Sequence, residues 1–235
     1  MTQTRREKLR DATREEIMFM AWKQIGEVGA SGLSLRGIAR EMGMTAPGLY
    51  RYYKDRDALV TALLVDAFTS FTTSLEAGRD TCAADDHTGR FRAMCKSYFQ
   101  WAAQNPQRYA LLFGTPIQGY MFAEELGPVA QRSFLVLQGV IGEAYVAGKI
   151  NGEVIALRLP TSLKSSYDTL KKFGMPYTGT VTQLALSAWS MIHGMTSLYL
   201  YNYLSGFLQN NVEAFIDFEI EKMVKIVGLE QRRKS

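Results

Sequence analysis

Apolar residues recur along this chain at steps of three and four, and no useful length alternates with the period of two that a half-buried strand needs. The pattern predicts an all-α protein. Ile17, Ala21, Ile25 and Val28 mark the inner stripe of a helix over residues 11–28, which Gly29 ends. Leu33 and Leu35 feed the same small core. Ser34 can cap a short helix whose stripe is Ile38, Ala39 and Met42, and Gly43 stops it. Thr45 caps a second short helix with Pro47 in its first turn, where the missing N–H is not needed. Leu49 and Tyr53, four apart, face inward. Asp55 then opens a longer helix, with Leu59, Leu63 and Ala67 inside, that reaches about Gly78.

The remainder is also helical in pattern. Residues 79–89, which include His87, read as a loop. A helix over 90–103 carries Phe91, Met94, Tyr98 and Trp101 on one side, and Asn105-Pro106 ends it. A short helix at 109–113 closes on Gly114-Thr115-Pro116. A long one over 124–148 has Val129, Phe134, Leu137, Ile141 and Tyr145 as buried positions. Residues 149–179 read as a long connection, partly helical over 157–173. Residues 180–207 are apolar on nearly every face, more than one core can cover. Residues 212–227 carry a stripe of Val212, Phe215, Ile216, Ile220, Met223, Val224 and Val227, with Glu213, Asp217, Glu219, Glu221 and Lys222 outside it. Two such helices crossing their twins would build a four-helix interface, so a homodimer through 180–207 and 212–227 is expected.

Composition changes this picture in three places. At 235 residues and 47% hydrophobic, the chain can bury the core of one or two domains. The net charge of +4 is uneven: residues 1–60 hold 11 Lys or Arg against 8 Asp or Glu, and the other residues are close to balance. The excess sits on the small N-terminal module, as a phosphate-binding surface requires, though a solvated basic face has the same composition. Arg5, Arg6, Lys8 and Arg10 lead into that module, either as a frayed terminus or as an arm that reaches DNA. The two cysteines, Cys82 and Cys95, lack metal-ligand spacing and fit a reduced cytosol. No secretory signal is seen, and the uncharged run over 173–212 is too interrupted by polar residues for a membrane span. A cytoplasmic location and no membrane association follow as expectations.

The stretch SLRGIAREMGMTAPGLYRYYK, residues 34–54, reads as two helices joined by a tight turn. Thr45, Pro47, Gly48, Tyr50, Arg51 and Tyr52 are left facing outward. Hydroxyls and a guanidinium can bond phosphates or base edges, and a glycine permits close backbone approach. A plain surface αα-hairpin would share the glycine turn. The wording goes further: Ser34, Ile38-Ala39, Gly43-Met44-Thr45, Gly48-Leu49-Tyr50, Tyr52-Tyr53-Lys54 and Leu59 resemble the DNA-binding signature of the tetracycline-repressor (TetR) family of bacterial regulators. The resemblance covers about residues 10–65, with Pro47 and Asp55 standing where that family usually has other residues. It implies DNA contacts from Ser34, Arg36, Thr45, Ala46, Pro47, Gly48, Tyr50, Arg51, Tyr52 and Lys54. Trp189, His193 and Gly194 are similar to the Trp-x-x-x-His-Gly motif of one class of C-terminal domain in that family.

The resemblance implies a helix-turn-helix head of three helices over 1–60 and a helical effector-binding and dimerising body over 61–235. Trp189 and His193 share a helix face. They line an effector cavity, or His193 is a hydrogen-bonded core residue. Tyr98, Trp101, Tyr109 and Phe113 are likewise either walls for a flat apolar ligand or core. No phosphate loop, nucleophile elbow or His/Cys cluster is present, so no enzyme, cofactor or metal site is expected. The function implied is a sequence-specific repressor that a small apolar effector releases from a palindromic operator. The alternatives are an architectural or cell-cycle DNA binder of the same fold without an effector, and an enzyme or carrier that keeps the head as a relic.

Overall fold

The computed structural model of the chain describes residues 4–156, 158–177 and 179–229, and among them there are α-helices and two short 3-10 turns but no strand. The chain divides into two compact units. One contains residues 1–69 and 105–129, the other residues 70–104 and 130–235.

The first unit is built on α1 (Arg5–Val28), α2 (Leu35–Glu41), α3 (Ala46–Tyr50) and the first part of α4 (Arg56–Arg79), joined by α6 (Pro106–Phe113). Its core gathers Ile17, Ala21 and Ile25 from α1, Leu33 from the connection, Leu35, Ile38 and Ala39 from α2, Leu49 from α3 and Leu59 and Leu63 from α4. The 3.6-residue stripes meet as the periodicity predicts, with two differences. Val28 is 60% exposed, because Gly29 at φ 73° turns the chain away before that position reaches the core. The helix also begins six residues earlier than residue 11. Thr4 Oγ1 accepts from Glu7 N at 3.3 Å, and the Glu7 carboxylate takes Thr4 N at 2.7 Å, a reciprocal capping box that satisfies two free N–H groups. Arg5 to Arg10 are therefore helical, neither frayed nor an arm; residues 1–3 lie outside the described part.

Two polar clusters fix the helices of this unit. The Arg56 guanidinium donates to Ala30 O (3.0 Å) and Leu33 O (3.3 Å), satisfying carbonyls of the irregular turn between α1 and α2. The Asp66 carboxylate on α4 accepts Trp22 Nε1 at 3.0 Å and pairs with Arg108 of α6, whose guanidinium lies 4.6 Å from the Trp22 ring centroid.

The second unit is organised by α5 (His87–Gln104), which packs against α10 (Thr180–Leu200) and α12 (Val212–Ile226). α5 starts at His87, earlier than residue 90, because Asp86 caps it by accepting Gly89 N at 2.8 Å. Phe91, Met94, Cys95, Tyr98 and Trp101 form its buried face. α7 (Leu126–Val146) enters this unit from residue 130 and packs Leu137 and Ile141 inward, but leaves Tyr145 exposed near its C-terminus. The 149–179 connection holds a short α8 (Gly152–Ile155), α9 (Thr161–Thr169) and a 3-10 turn (Leu170–Phe173); Leu157, within the predicted helical part, lies outside the described residues. The apolar run expected to reach 207 is broken after Leu200, where Asn202 adopts φ 63°, and α11 (Ser205–Leu208) follows.

The stripe on α12 has a different destination from the one expected. Ile216, Ile220, Met223 and Val224 are buried within a single chain against α5 and α10, so they cannot be the dimer surface. Arg92–Glu221 (2.8 Å) and Lys96–Asp217 (3.1 Å) bridge α5 and α12 alongside them. Among the described residues the helix long and apolar enough to cross a membrane is α4, not the 173–212 run, and its Leu59, Leu63, Ala67, Phe71 and Leu75 are spent on protein cores.

Because Met223 has no accessible surface, Met223→Glu buries an unpaired carboxylate and should cost about 4 kcal/mol or more. Ala214→Glu, at an exposed position in the first turn of the same helix, should leave the denaturation midpoint nearly unchanged. Chemical denaturation of both variants measures the contrast, and an intact midpoint for Met223→Glu would contradict the packing described.

Candidate nucleic-acid interface

α2 is seven residues long and α3 five, each too short to persist without fixed ends. Ser34 Oγ caps α2 by accepting Gly37 N at 3.2 Å, while Ser34 N donates to Gln24 Oε1 at 2.7 Å. At the other end Gly43 sits at φ 65°, Met44 N bonds Ala39 O at 2.8 Å and Gly43 N bonds Arg40 O at 3.2 Å, the paired closure of a Schellman motif. Thr45 Oγ1 then caps α3 by accepting Gly48 N at 3.2 Å, and Pro47 occupies the second helical position. Asp55 caps α4 through Ala58 N at 2.7 Å. Four caps within 25 residues lock the entry angle of α3.

Leu49 is completely buried and Tyr53 half-buried against the same core, where burial pushes the Tyr53 phenol above its usual range. Arg36, Thr45, Pro47, Tyr50, Arg51 and Lys54 are exposed, as is Ser34, whose hydroxyl is already engaged as a cap. Ala46 and Gly48 are part-buried. Tyr52 is also part-buried and packs against the head core, so it is less outward than its position suggests. Gly48 has an internal reason to be glycine: a Cβ there would lie 3.1 Å from the capping Thr45 Oγ1. Lys54 is exposed, with its Nζ 4.0 Å from the Asp55 carboxylate.

The six residues expected to face an effector do not share one unit. Tyr109 and Phe113 belong to the first, with ring centroids 5.1 Å apart, and Phe113 meets Phe68 edge-on. Tyr98, Trp101, Trp189 and His193 belong to the second. Tyr98 and Trp101 are buried, each with its ring centroid 4.9 Å from that of Phe71, and Trp101 Nε1 donates to Ser70 Oγ at 3.0 Å. His193 Nδ1 lies 3.2 Å from Tyr98 Oη, and its ring is 6.0 Å from that of Trp189, which is 37% exposed and meets Phe134 edge-on. A contiguous chain of Trp189, His193 and Tyr98 thus runs from the surface of this unit into its interior. Sequence reading missed Arg56, Asp66 and Arg108, whose partners are up to 44 residues away; no local signal marks such pairs.

The capped helix-turn-helix of the first unit and the helical second unit agree with three comparisons. Residues 17–63 match the family model "Bacterial regulatory proteins, tetR family", and residues 91–223 match "Tetracyclin repressor-like, C-terminal domain". The chain is 29% identical over 231 residues to the HTH-type transcriptional regulator Rv1816 of Mycobacterium tuberculosis, covering 95% of this chain and 96% of that one. The crystal structure of the regulatory protein SCO4313 superposes with a TM-score of 0.77 at 31% identity, over 94% of this chain and all of the other. The TetR regulator PfmR of Thermus thermophilus, at 14% identity and a TM-score of 0.58, shares the fold over 92% of this chain and 99% of its own. This chain belongs to the TetR family of transcriptional regulators.

Two measurements follow. Gly43→Ala forces a side chain into the left-handed region and should destabilise the head by about 1–2 kcal/mol, read by thermal denaturation. The second concerns His193, whose protonation is disfavoured in the folded chain. Burial lowers its pKa, so acidification from pH 7 toward 5 protonates the unfolded chain first and subtracts stability. His193→Gln should flatten that part of the pH–stability curve, and an unchanged slope would contradict the burial argument.

Proposed function

We propose that this regulator is a cytoplasmic homodimeric repressor that binds a palindromic operator and is released by a small, largely apolar effector. The observation that carries the reading is the exposed face of α3, capped at its start by Thr45, anchored by Leu49 and presenting Thr45, Pro47, Tyr50 and Arg51 outward, as a helix that enters a groove must. On this reading residues 1–60 are the DNA-binding head and 61–235 the effector-binding and dimerising body. Tyr50, Tyr52 and Lys54 hold phosphates, Ser34 and Arg36 stand at the start of α2 beside them, and Thr45, Ala46, Pro47, Gly48 and Arg51 govern base preference.

The dimer surface is supported by the apolar residues that the second unit leaves outside: Leu198 and Trp189 on α10, Tyr201 and Tyr203 after it, and Phe218, 65% exposed, on α12. The effector site is supported by the Trp189–His193–Tyr98 chain, an apolar wall with two polar atoms for orientation. α4 contributes residues to both units, and a ligand acts through it only if it binds two positions of that helix with different affinity. Binding, not catalysis, is the activity assigned.

The decisive experiment is footprinting of the purified protein on the DNA flanking its own gene, with Lys54→Ala beside the wild type. A protected palindrome is expected. Lys54→Ala should weaken operator and random DNA alike and lower the slope of log affinity against log salt by about two for the dimer, about one for each protomer's lysine. An unchanged slope removes Lys54 from the phosphate set. Compounds that release the operator must bind the DNA-complexed protein more weakly by the same factor, typically ~5–150-fold. DNA binding that no apolar compound alters would favour the architectural alternative.

A further inference from the structure

The first two turns of α1 do not stand clear of the recognition helix. Between them and α3 lies an open groove of about 650 Å³ whose wall includes Thr4, Arg6, Arg10, Gly48, Arg51 and Tyr52. Arg6 and Arg10 are four apart and so project from the same helical face toward one groove. Among the described residues neither they nor Arg51 has a carboxylate partner, unlike Arg79, Arg90, Arg92, Arg108 and Arg132, which are all paired. Glu7 also reaches this groove, but its carboxylate is held by Thr4 N (2.7 Å) and Thr4 Oγ1 (2.9 Å), bonds that keep it ionised below its usual range. The groove therefore carries three guanidiniums against one carboxylate that is already committed to the helix cap. Three positive charges against one negative leave the groove net cationic, and an anion seated among the guanidiniums relieves the repulsion that Glu7 does not offset.

We propose that this groove seats a backbone phosphate of the bound DNA, held by Arg6 and Arg10 from a helix formed before DNA arrives. The proposal rests on the DNA-binding reading of α3. With α3 in the major groove, a surface flanking it meets the sugar-phosphate edge, and guanidiniums there set register without reading bases. The Thr4–Glu7 capping box has a functional consequence here: it keeps the turn bearing Arg6 helical, so binding does not have to pay the ordering entropy that a disordered arm would. The same four basic residues, Arg5, Arg6, Lys8 and Arg10, have two different uses: Arg6 and Arg10 line the groove, and Arg5 and Lys8 are not part of its wall.

The test uses the full-length dimer and the double variant Arg6→Gln/Arg10→Gln. Glutamine keeps helix propensity and removes the charge. Affinity should fall roughly sixtyfold at 0.1 M salt on operator and random duplex alike, and the salt slope should drop by about two, the counterion-release value for one phosphate per protomer. Arg5→Gln/Lys8→Gln should move both quantities less. Thr4→Ala, with all basic residues in place, should weaken DNA binding measurably and lower helicity by circular dichroism; unaltered affinity with lowered helicity would mean that a flexible arm makes the contact, and would overturn the preformed-helix proposal. A wild-type salt slope in Arg6→Gln/Arg10→Gln, while Lys54→Ala lowers it, would overturn the groove assignment and leave the DNA reading intact. Absence of DNA binding by the wild type would overturn both.

Discussion

A five-residue helix does not hold itself in water, and the candidate nucleic-acid interface of this protein depends on that fact. Nucleating a helical turn fixes several dihedral angles for one hydrogen bond, so α3 exists because something else fixes it. Leu49 anchors it in a core made by Ile17, Ala21, Ile38, Leu59 and Leu63, and the Thr45 and Asp55 caps bind the chain before and after it. Removing the core would leave the caps with no helix to close. Removing the caps would leave the core free to tilt α3, and the outward side chains with it. The direction of the exposed side chains is thus set by burial on the opposite side of the same short helix.

The polar contacts in the first unit serve that core. Arg56 neutralises carbonyls that the irregular 29–33 turn leaves exposed near the apolar interior, where an unsatisfied carbonyl costs about 1–3 kcal/mol. Asp66 ties α1 to α6 through Trp22 and Arg108. Both use residues of α4, so this helix supplies apolar stripe, cap and polar clamps at once. In the second unit α5 has the corresponding part. Its inner face packs on α10 and α12, and its outer edge carries Arg92 and Lys96 to the carboxylates of α12. Those exposed pairs contribute little stability singly, and burial of Ile216, Ile220 and Met223 carries the packing.

The apolar residues left outside are informative because of their arrangement. Single exposed apolar side chains are ordinary. Trp189, Leu198, Tyr201, Tyr203, Phe207 and Phe218 are many, and five of them fall within one stretch of the second unit, on α10, the turn after it and α11. An isolated chain presents them all to water, and an apolar patch of that extent marks an interaction surface.

How much was legible depends on the range of the interaction. The all-α class, the Ser34, Thr45 and Asp55 caps, the Gly43 stop and the buried set Ile17, Ala21, Ile38, Leu49 and Leu59 follow from local rules, because a cap or a 3.6-residue stripe involves neighbours within four positions. The helical start at Arg5 was legible in principle as Thr4-x-x-Glu7, but its charged surroundings read as a tail. The destination of an apolar stripe was not. Ile216 and Met223 have the pattern of buried residues whether they meet α5 of their own chain or a second chain, and periodicity measures only the need for cover. Tyr98 and Trp101 pose the same ambiguity between core and pocket wall, and Phe71 resolves it for their inner edges. The groove beside α3 likewise exists only once two segments 35 or more residues apart approach each other. The sequence by itself determined which residues must be hidden and where each helix must start and stop, since those are properties of the local chain. Only the tertiary structure decided what hides them and which charges are left without partners, since both depend on contacts that the order of residues does not encode one by one.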